Sequence, residues 1–174
     1  MEILLKKSLV LTGMMGVGKS TIGRILSKKL KFKFFDIDKI IEKNQKKKIY
    51  EIFEIKGESF FRDIEEKFTL KFIKKKNSVI ALGGGAFINF KIRDAILRNN
   101  KSFWLDTQID DLKTRIRKKK TRPLLSGNSP QNLKKIYNER KKIYKLANFK
   151  INCDNLDKYK IAKKIIDLYE KDKY

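Results

Sequence analysis

Gly13-Met14-Met15-Gly16-Val17-Gly18-Lys19-Ser20-Thr21 is the stretch from which the fold of this chain is read. From Gly13 to Ser20 it matches G-x-x-x-x-G-K-[ST]. It follows a short β-rich run, Ser8–Thr12, and opens a segment in which Ile22, Ile25, Leu26 and Leu30 recur at helical spacing. The glycines let the backbone turn tightly, so that several N–H groups point inward at phosphate oxygens, and the helix N-terminus adds the positive end of its dipole. Lys19 can then reach the β- and γ-phosphates of a nucleotide, and the Ser20 hydroxyl can ligate Mg²⁺. The plain alternative is a glycine turn with a chance Lys-Ser. The strand before the motif and the helix after it argue against that.

Outward from this loop, strands and helices alternate. Phe34 and Phe35 lead into Asp36 as a second strand; Ile37–Lys48 and Ile49–Lys56 read as two helices, and Ser59–Lys76 carries a helical stripe of Phe60, Ile64, Phe68, Phe72 and Ile73. Ser78–Leu82 reads as a buried strand, Phe90–Leu97 as a helix, Ser102–Leu105 as a fourth strand and Ile109–Arg117 as a helix. Lys118–Pro130 is an irregular basic loop, and with the only two prolines close together it is the candidate mobile segment. Gln131–Ala147, Phe149–Cys153 and Lys158–Glu170 complete the pattern as helix, fifth strand and helix. Such alternation predicts an α/β fold with a parallel sheet covered on both faces, and ligands at the carboxyl ends of its strands.

Two further constellations stand at such ends. Six of the nine glycines fall in two clusters, and the second is Gly83-Gly84-Gly85, where a substrate could approach the main chain closely; a flexible strand-to-helix turn is the alternative. Asp36-Ile37-Asp38 ends the second strand. If the strand period holds that far, both carboxylates share a face, one supporting Mg²⁺ and the other meeting a substrate hydroxyl. Equally, Asp38 could merely cap the following helix. The eight arginines are scarce enough to be informative. Arg62 precedes Glu65 by three residues, so the two can pair on one helix face and fix a guanidinium for bidentate capture of a carboxylate; from spacing alone an ordinary surface ion pair is the favoured reading, and Arg140 in Asn138-Glu139-Arg140 carries the same ambiguity. Arg115, Arg117 and Arg122 flank or enter the basic loop, which could close over a nucleotide or simply be solvated.

Composition narrows the chemistry. The 174 residues suit one domain with a proper core, and 41% hydrophobic residues with 12 Phe are enough to fold it. There is no histidine, which excludes histidine triads, relays and metal sites, and the single Cys153 excludes an internal disulfide. The formal charge is +24, yet lysine outnumbers arginine 36 to 8 and the Lys triplets at 46–48, 74–76 and 118–120 are scattered among acidic residues. Specific nucleic-acid readers lean on Arg forks and stacked aromatics, so solvated lysine faces are the favoured reading over a nucleic-acid footprint. No apolar stretch approaches the about 20 residues of a membrane span, and the N-terminus reads as a first strand rather than a signal peptide, so a cytoplasmic protein and, by default, a monomer are expected.

Taken together these segments resemble shikimate kinase over roughly residues 8–168. The resemblance is carried by Gly13–Thr21 with Ile22-Gly23-Arg24, Phe35-Asp36-Ile37-Asp38, Ile41-Glu42, Ile52-Phe53, Gly57-Glu58, Phe61-Arg62 with Glu65-Glu66, Leu82-Gly83-Gly84-Gly85-Ala86, Arg122-Pro123-Leu124-Leu125, and Asn138-Glu139-Arg140 with Tyr144. It implies transfer of the ATP γ-phosphoryl group to the 3-hydroxyl of shikimate, on the route to chorismate and the aromatic amino acids. It also implies a P-loop kinase fold of one domain over 1–174, with a five-stranded parallel sheet, a substrate-binding helical segment near 37–66 and a lid near 115–128.

By this resemblance Gly16, Val17, Gly18, Lys19, Ser20 and Thr21 hold the ATP phosphates, and Ser20 and Asp36 serve one Mg²⁺ ion. Asp38 meets the reacting hydroxyl. Arg62, steadied by Glu65, and Arg140 grip the carboxylate, and Gly83, Gly84 and Gly85 meet substrate hydroxyls. Phe53 and Phe61 wall the ring, Arg115 lies against adenine and Arg122 stabilises phosphate charge. Two departures from the pattern are Lys46, where a glycine is common, and Lys142-Ile143, where Pro-Leu is common. The competing readings are another small P-loop kinase, for gluconate or a nucleotide, and a nucleic-acid-binding ATPase.

Overall fold

The computed structural model describes residues 7–117 and 130–171. Five short strands, β1 (Leu9–Thr12), β2 (Lys33–Asp36), β3 (Ser78–Ala81), β4 (Lys101–Asp106) and β5 (Phe149–Asn152), form one parallel sheet in the order β2-β3-β1-β4-β5. The register pairs Leu9 with Val79 on one side and with Lys101 on the other, so the strands end at nearly one level.

Residue chemistry sets this order. Leu9–Thr12 and Ser78–Ala81 are buried at every position, as expected of strands covered on both faces. The outer strands are only partly covered, and each carries an exposed lysine, Lys33 and Lys150, of the kind that discourages further edge pairing. Around the sheet lie α1 (Lys19–Leu30), α2 (Ile37–Gln45), α3 (Ile49–Phe72), α4 (Phe90–Asn99), α5 (Ile109–Arg117), α6 (Pro130–Tyr144) and α7 (Lys158–Lys171). One face of the sheet is covered by α1 lying on β3 and β2 and packed against α7. The core they close includes Leu11, Leu26, Ile80, Phe103, Trp104 and Ile165, all 0–1% exposed.

The elements depart from the sequence reading in four places. The helix expected over 37–48 stops at Gln45, because Lys46 adopts the left-handed conformation (φ 52, ψ 32) and its N–H closes back on the Glu42 carbonyl. The two helices expected over 49–56 and 59–76 are present on either side of a break at Gly57 (φ 80, ψ 171), a conformation that glycine alone adopts without strain, but the second ends at Phe72 rather than at 76. After the triple glycine comes a single 3₁₀ turn, Ala86–Ile88, that periodicity did not signal. The helix expected to reach Ala147 ends at Tyr144.

The carboxyl edge of the sheet gathers the motifs. β1 runs into Gly13, β2 into Asp36, β3 through Leu82 into Gly83 and β4 into Asp106. Gly13 must be glycine on two counts: its φ is 133, and a Cβ there would stand 2.5 Å from the Leu105 carbonyl oxygen of the neighbouring strand.

Candidate active site

The loop between β1 and α1 is built around a buried cation. Lys19 is 8% exposed, and its Nζ donates to the carbonyl oxygens of Gly13 at 2.7 Å and Met14 at 2.9 Å. Folding the chain back over its own lysine places the ammonium inside the loop rather than in solvent. Gly18 occupies the N-cap of α1 at φ 104 without a side-chain cap, so the first-turn N–H groups of that helix are left for the loop to present. Behind Gly16 stands α5, with Ile116 Cγ1 only 3.1 Å from where a Cβ would be. Arg115, exposed on α5, directs Nη1 toward the Val17 carbonyl at 3.5 Å, which puts it beside the loop.

Next to the loop lies a cleft of about 160 Å³ whose walls include Ser20, Asp36, Asp38, Arg62, Glu65 and Arg140. Its floor is Gly83-Gly84-Gly85, and each glycine makes room for a different charge. A Cβ at Gly83 would fall 2.5 Å from Glu65 Oε1 and 2.6 Å from Asp38 Oδ1; at Gly84, 3.4 Å from Arg140 Nη1; at Gly85, into the Arg62 guanidinium. Two carboxylates and two guanidiniums therefore converge over three consecutive residues, and a side chain at Gly83 or Gly85 would push its charged neighbours away. Phe53 and Phe61, with ring centroids 4.7 Å apart, supply an apolar wall.

The ion pair expected between Arg62 and Glu65 is present and has a third member. Arg62 Nη1 donates to Glu65 Oε2 at 2.7 Å, while Nη2 and Nε donate to Glu58 Oε1 at 2.9 and 3.2 Å. The guanidinium also lies over the Phe61 ring at 5.3 Å. Burial works against its charge, but Glu65 and then Glu58 outweigh that and hold Arg62 even more firmly protonated than usual. Glu65, with a side chain 3% exposed, is pushed above the usual carboxylate range, chiefly by burial and further by Asp38, with Arg62 and Arg140 offsetting only part of it. Arg140 Nη1 is buried and has no hydrogen-bond partner among the described residues. A buried, unpartnered guanidinium nitrogen on a cleft wall is costly unless an anionic acceptor meets it.

Asp36 and Asp38 both line the cleft, by a route different from strand alternation. The strand ends at Asp36, which is the N-cap of α2 and accepts from the Lys39 N–H at 3.3 Å; Asp38 already lies in the first helical turn. Capping therefore falls to Asp36, and Asp38 faces Gly83. Ser20 shares the cleft with both.

Two contributors had no assigned role in the sequence reading. Glu58 is four residues before Arg62, a spacing that could have been read as a second partner. Tyr144, four residues after Arg140, is 0% exposed and donates its hydroxyl to the Gly84 carbonyl, pinning the floor. Burial raises its pKa to about 12, so it remains a neutral donor. Thr21 is exposed at the loop's end. Cys153 is buried, 2% exposed, and burial pushes its thiol up to about 12, in keeping with an apolar packing role. Arg122, and with it all of the segment 115–128 beyond Arg117, lies outside the described residues.

A glycine-rich loop with a buried lysine at the head of a parallel sheet, beside a cleft lined by carboxylates and two guanidiniums, is the arrangement of a P-loop kinase. The family model described as shikimate kinase matches residues 15–170. The shikimate kinase of a Sulfurihydrogenibium species is 39% identical over 160 residues, covering 92% of this chain and 96% of that one. That of Bartonella quintana is 41% identical over 162 residues, covering 92% of this chain and 77% of the relative. Among solved structures, shikimate kinase from Acinetobacter baumannii in complex with shikimate superposes with a TM-score of 0.92 at 31% identity, covering 97% of this chain and 95% of that one. The chain belongs to the shikimate kinase family.

Proposed function

We propose that this chain transfers the γ-phosphoryl group of ATP to the 3-hydroxyl of shikimate, yielding shikimate 3-phosphate and ADP. The observation that carries the reading is the buried, unpartnered Arg140 Nη1 over Gly84, flanked by Arg62 over Gly85 and Asp38 over Gly83. A small molecule with a carboxylate at one end and a hydroxyl at the other fits that spacing of charge: the guanidiniums take the carboxylate, and the hydroxyl falls beside Asp38. Gly83, Gly84 and Gly85 offer main-chain groups to the remaining hydroxyls. Phe53 and Phe61 cover the ring.

On the nucleotide side, Gly16 to Thr21 surround the phosphates, Lys19 swings from its loop carbonyls to the β- and γ-oxygens, and Arg115 lies against the base. Ser20 and Asp36 would hold Mg²⁺. The donor set suits that ion, because one hydroxyl and one carboxylate are hard oxygen ligands and Mg²⁺ takes few protein ligands, filling its shell with water and phosphate. When bound, the ion neutralises charge on the β- and γ-oxygens. Asp38 orients the attacking hydroxyl and receives its proton or shares it. From its place in Arg-Pro-Leu-Leu, Arg122 brings positive charge to the phosphoryl group in flight, with 115–128 as the lid. We further assign the chain to a single kinase domain, monomeric and cytoplasmic, without specific nucleic-acid binding; no helix among the described residues is long and apolar enough to cross a membrane.

An ADP-release assay with shikimate, gluconate and nucleoside monophosphates as acceptors tests the reading. Release that depends on shikimate alone is the expected result. Release driven by gluconate or a monophosphate instead would transfer the chain to another small-molecule kinase, and stimulation by polynucleotide would favour a nucleic-acid-dependent ATPase.

A further inference from the structure

The helix that carries Arg140 is held at two points by phenol hydroxyls, and the proposed function uses neither. Along α6, Leu133, Tyr137, Arg140 and Tyr144 follow at intervals of four, three and four residues and so share a face. Leu133 is 4% exposed and anchors the helix by apolar contact. Apolar contact is non-directional, and it fixes the roll of a helix about its own axis less sharply than a hydrogen bond of defined geometry does. With a radius of about 5–6 Å including side chains, a roll of about ten degrees moves a side-chain head by about 1 Å. A guanidinium that must meet a carboxylate with two parallel hydrogen bonds does not tolerate such a shift.

The two phenols supply the missing direction. Four residues after Arg140, the Tyr144 hydroxyl donates to the Gly84 carbonyl on the cleft floor. Three residues before it, the Tyr137 hydroxyl donates to Asp106 Oδ1 at 3.0 Å. Asp106 is a firm acceptor: its side chain is 12% exposed, and its other oxygen accepts from Lys150 Nζ at 3.0 Å. It is also well placed, since it ends β4 and follows Leu105, whose carbonyl abuts Gly13 of the phosphate loop. Lys150 in turn lies 4.9 Å over the Trp104 ring, and Trp104 packs on Tyr144 at 6.1 Å. Tyr137, Asp106, Lys150, Trp104 and Tyr144 thus form a closed frame behind Arg140. Burial and Asp106 push the Tyr137 phenol up to about 12, so it stays a donor at neutral pH.

We propose that Tyr137 is a positioning residue for substrate recognition: by donating to Asp106 it fixes the roll of α6 and aims the Arg140 guanidinium at the carboxylate of the acceptor. The inference deepens the proposed function and rests on its assignment of Arg140 to that carboxylate. It separates Tyr137 from a general packing residue, because the hydroxyl and not the ring does the aiming.

The test uses the full-length enzyme, the variants Tyr137→Phe and Arg140→Lys and their double variant, with shikimate and its primary amide as acceptors. Tyr137→Phe keeps the ring and removes only the donor. The KM for shikimate should rise roughly 3- to 10-fold, well short of the about 100-fold that a full 1 Å misplacement can cost. The KM for ATP should stay near that of the unsubstituted enzyme, and the melting temperature should fall only by the few degrees that loss of one hydrogen bond costs. The preference for the acid over the amide should shrink, and the double variant should be less impaired than the two single losses combined, since both act on one contact. An unchanged shikimate KM, parallel rises in both KM values, an intact acid preference or additive losses would each overturn the proposal. Should Arg140→Lys itself leave the shikimate KM unchanged, the assignment of Arg140 fails and the proposal falls with it. A normal Arg140→Lys loss beside a silent Tyr137→Phe removes the positioning role alone.

Discussion

Glu65 shows how a single residue can be costly to the fold and useful to the site. Its carboxylate is nearly sealed from water, and burial lifts its pKa above the ordinary 4.5 in spite of the Arg62 fork at 2.7 Å. A carboxylate whose pKa is raised on folding contributes stability that is fully present below the unfolded value and is lost as pH rises through the folded one. Glu65→Gln removes that titration. The variant should therefore gain on the unsubstituted protein in melting temperature as pH climbs from the acid side of the carboxylate range to neutrality, while its KM for shikimate rises because Arg62 loses a charged acceptor. Parallel melting profiles would refute the burial argument. Asp38 stands against Gly83 in the same cleft and is the group proposed to meet the reacting hydroxyl. Asp38→Asn should lower kcat by roughly 10²–10⁴-fold, the usual worth of a positioned acid or base, with ATP affinity little changed. An unaltered kcat, read in the same assay, would remove it from the chemistry. Of these residues Arg62, Glu65 and Asp38 were legible in the sequence from helical spacing and the Asp-x-Asp pattern. The unpartnered Arg140 Nη1 was not, because no spacing along the chain reports what a side chain lacks.

At the scale of elements, α2 and α3 both line the cleft, and both contain a backbone irregularity. Lys46 closes α2 in the left-handed region, where a Cβ meets the following carbonyl. Glycine suits that position, so Lys46→Gly should raise stability by about 0.5–1 kcal/mol after its larger unfolded-state entropy is subtracted. A lower denaturant midpoint would contradict this. Gly57 breaks α3 between the turns that carry Phe53 and those that carry Phe61 and Arg62, and a Cβ there would meet nothing within 4 Å. Backbone conformation rather than packing demands the glycine. The reading of two helices over 49–56 and 59–76 left 57–58 between them, which is where the structure breaks the helix. Strand ends were legible from the apolar runs, and the 3₁₀ turn after the triple glycine was not, since three residues are too few for any period to show.

The whole molecule carries +24 over 174 residues. Most of its lysines are exposed, and the ion pairs described are largely single surface contacts such as Lys163–Asp167 and Arg98–Asp94, each worth little. Such a charge opposes the compact state through self-repulsion. Raising NaCl from roughly 10 to 150 mM shortens the Debye length from about 30 to about 8 Å, and the melting temperature should rise accordingly. A falling melting temperature would show that attractive pairs dominate the surface after all.

Periodicity and punctuation, acting locally, were sufficient to determine the alternation of strands and helices and the glycine-rich loop that follows the first strand. Helical and strand periods, glycine runs and capping residues all act within a few positions of one another, so they can be read along the chain. Only the tertiary structure decided that Gly83, Gly84 and Gly85 each sit under a different charged group, that Tyr144 reaches 60 residues back to hold Gly84, and that Tyr137 reaches 31 residues back to Asp106. Those contacts depend on the strand order β2-β3-β1-β4-β5, which brings distant strand ends to one edge. That order is set by packing summed over the whole core, and no local pattern records the sum.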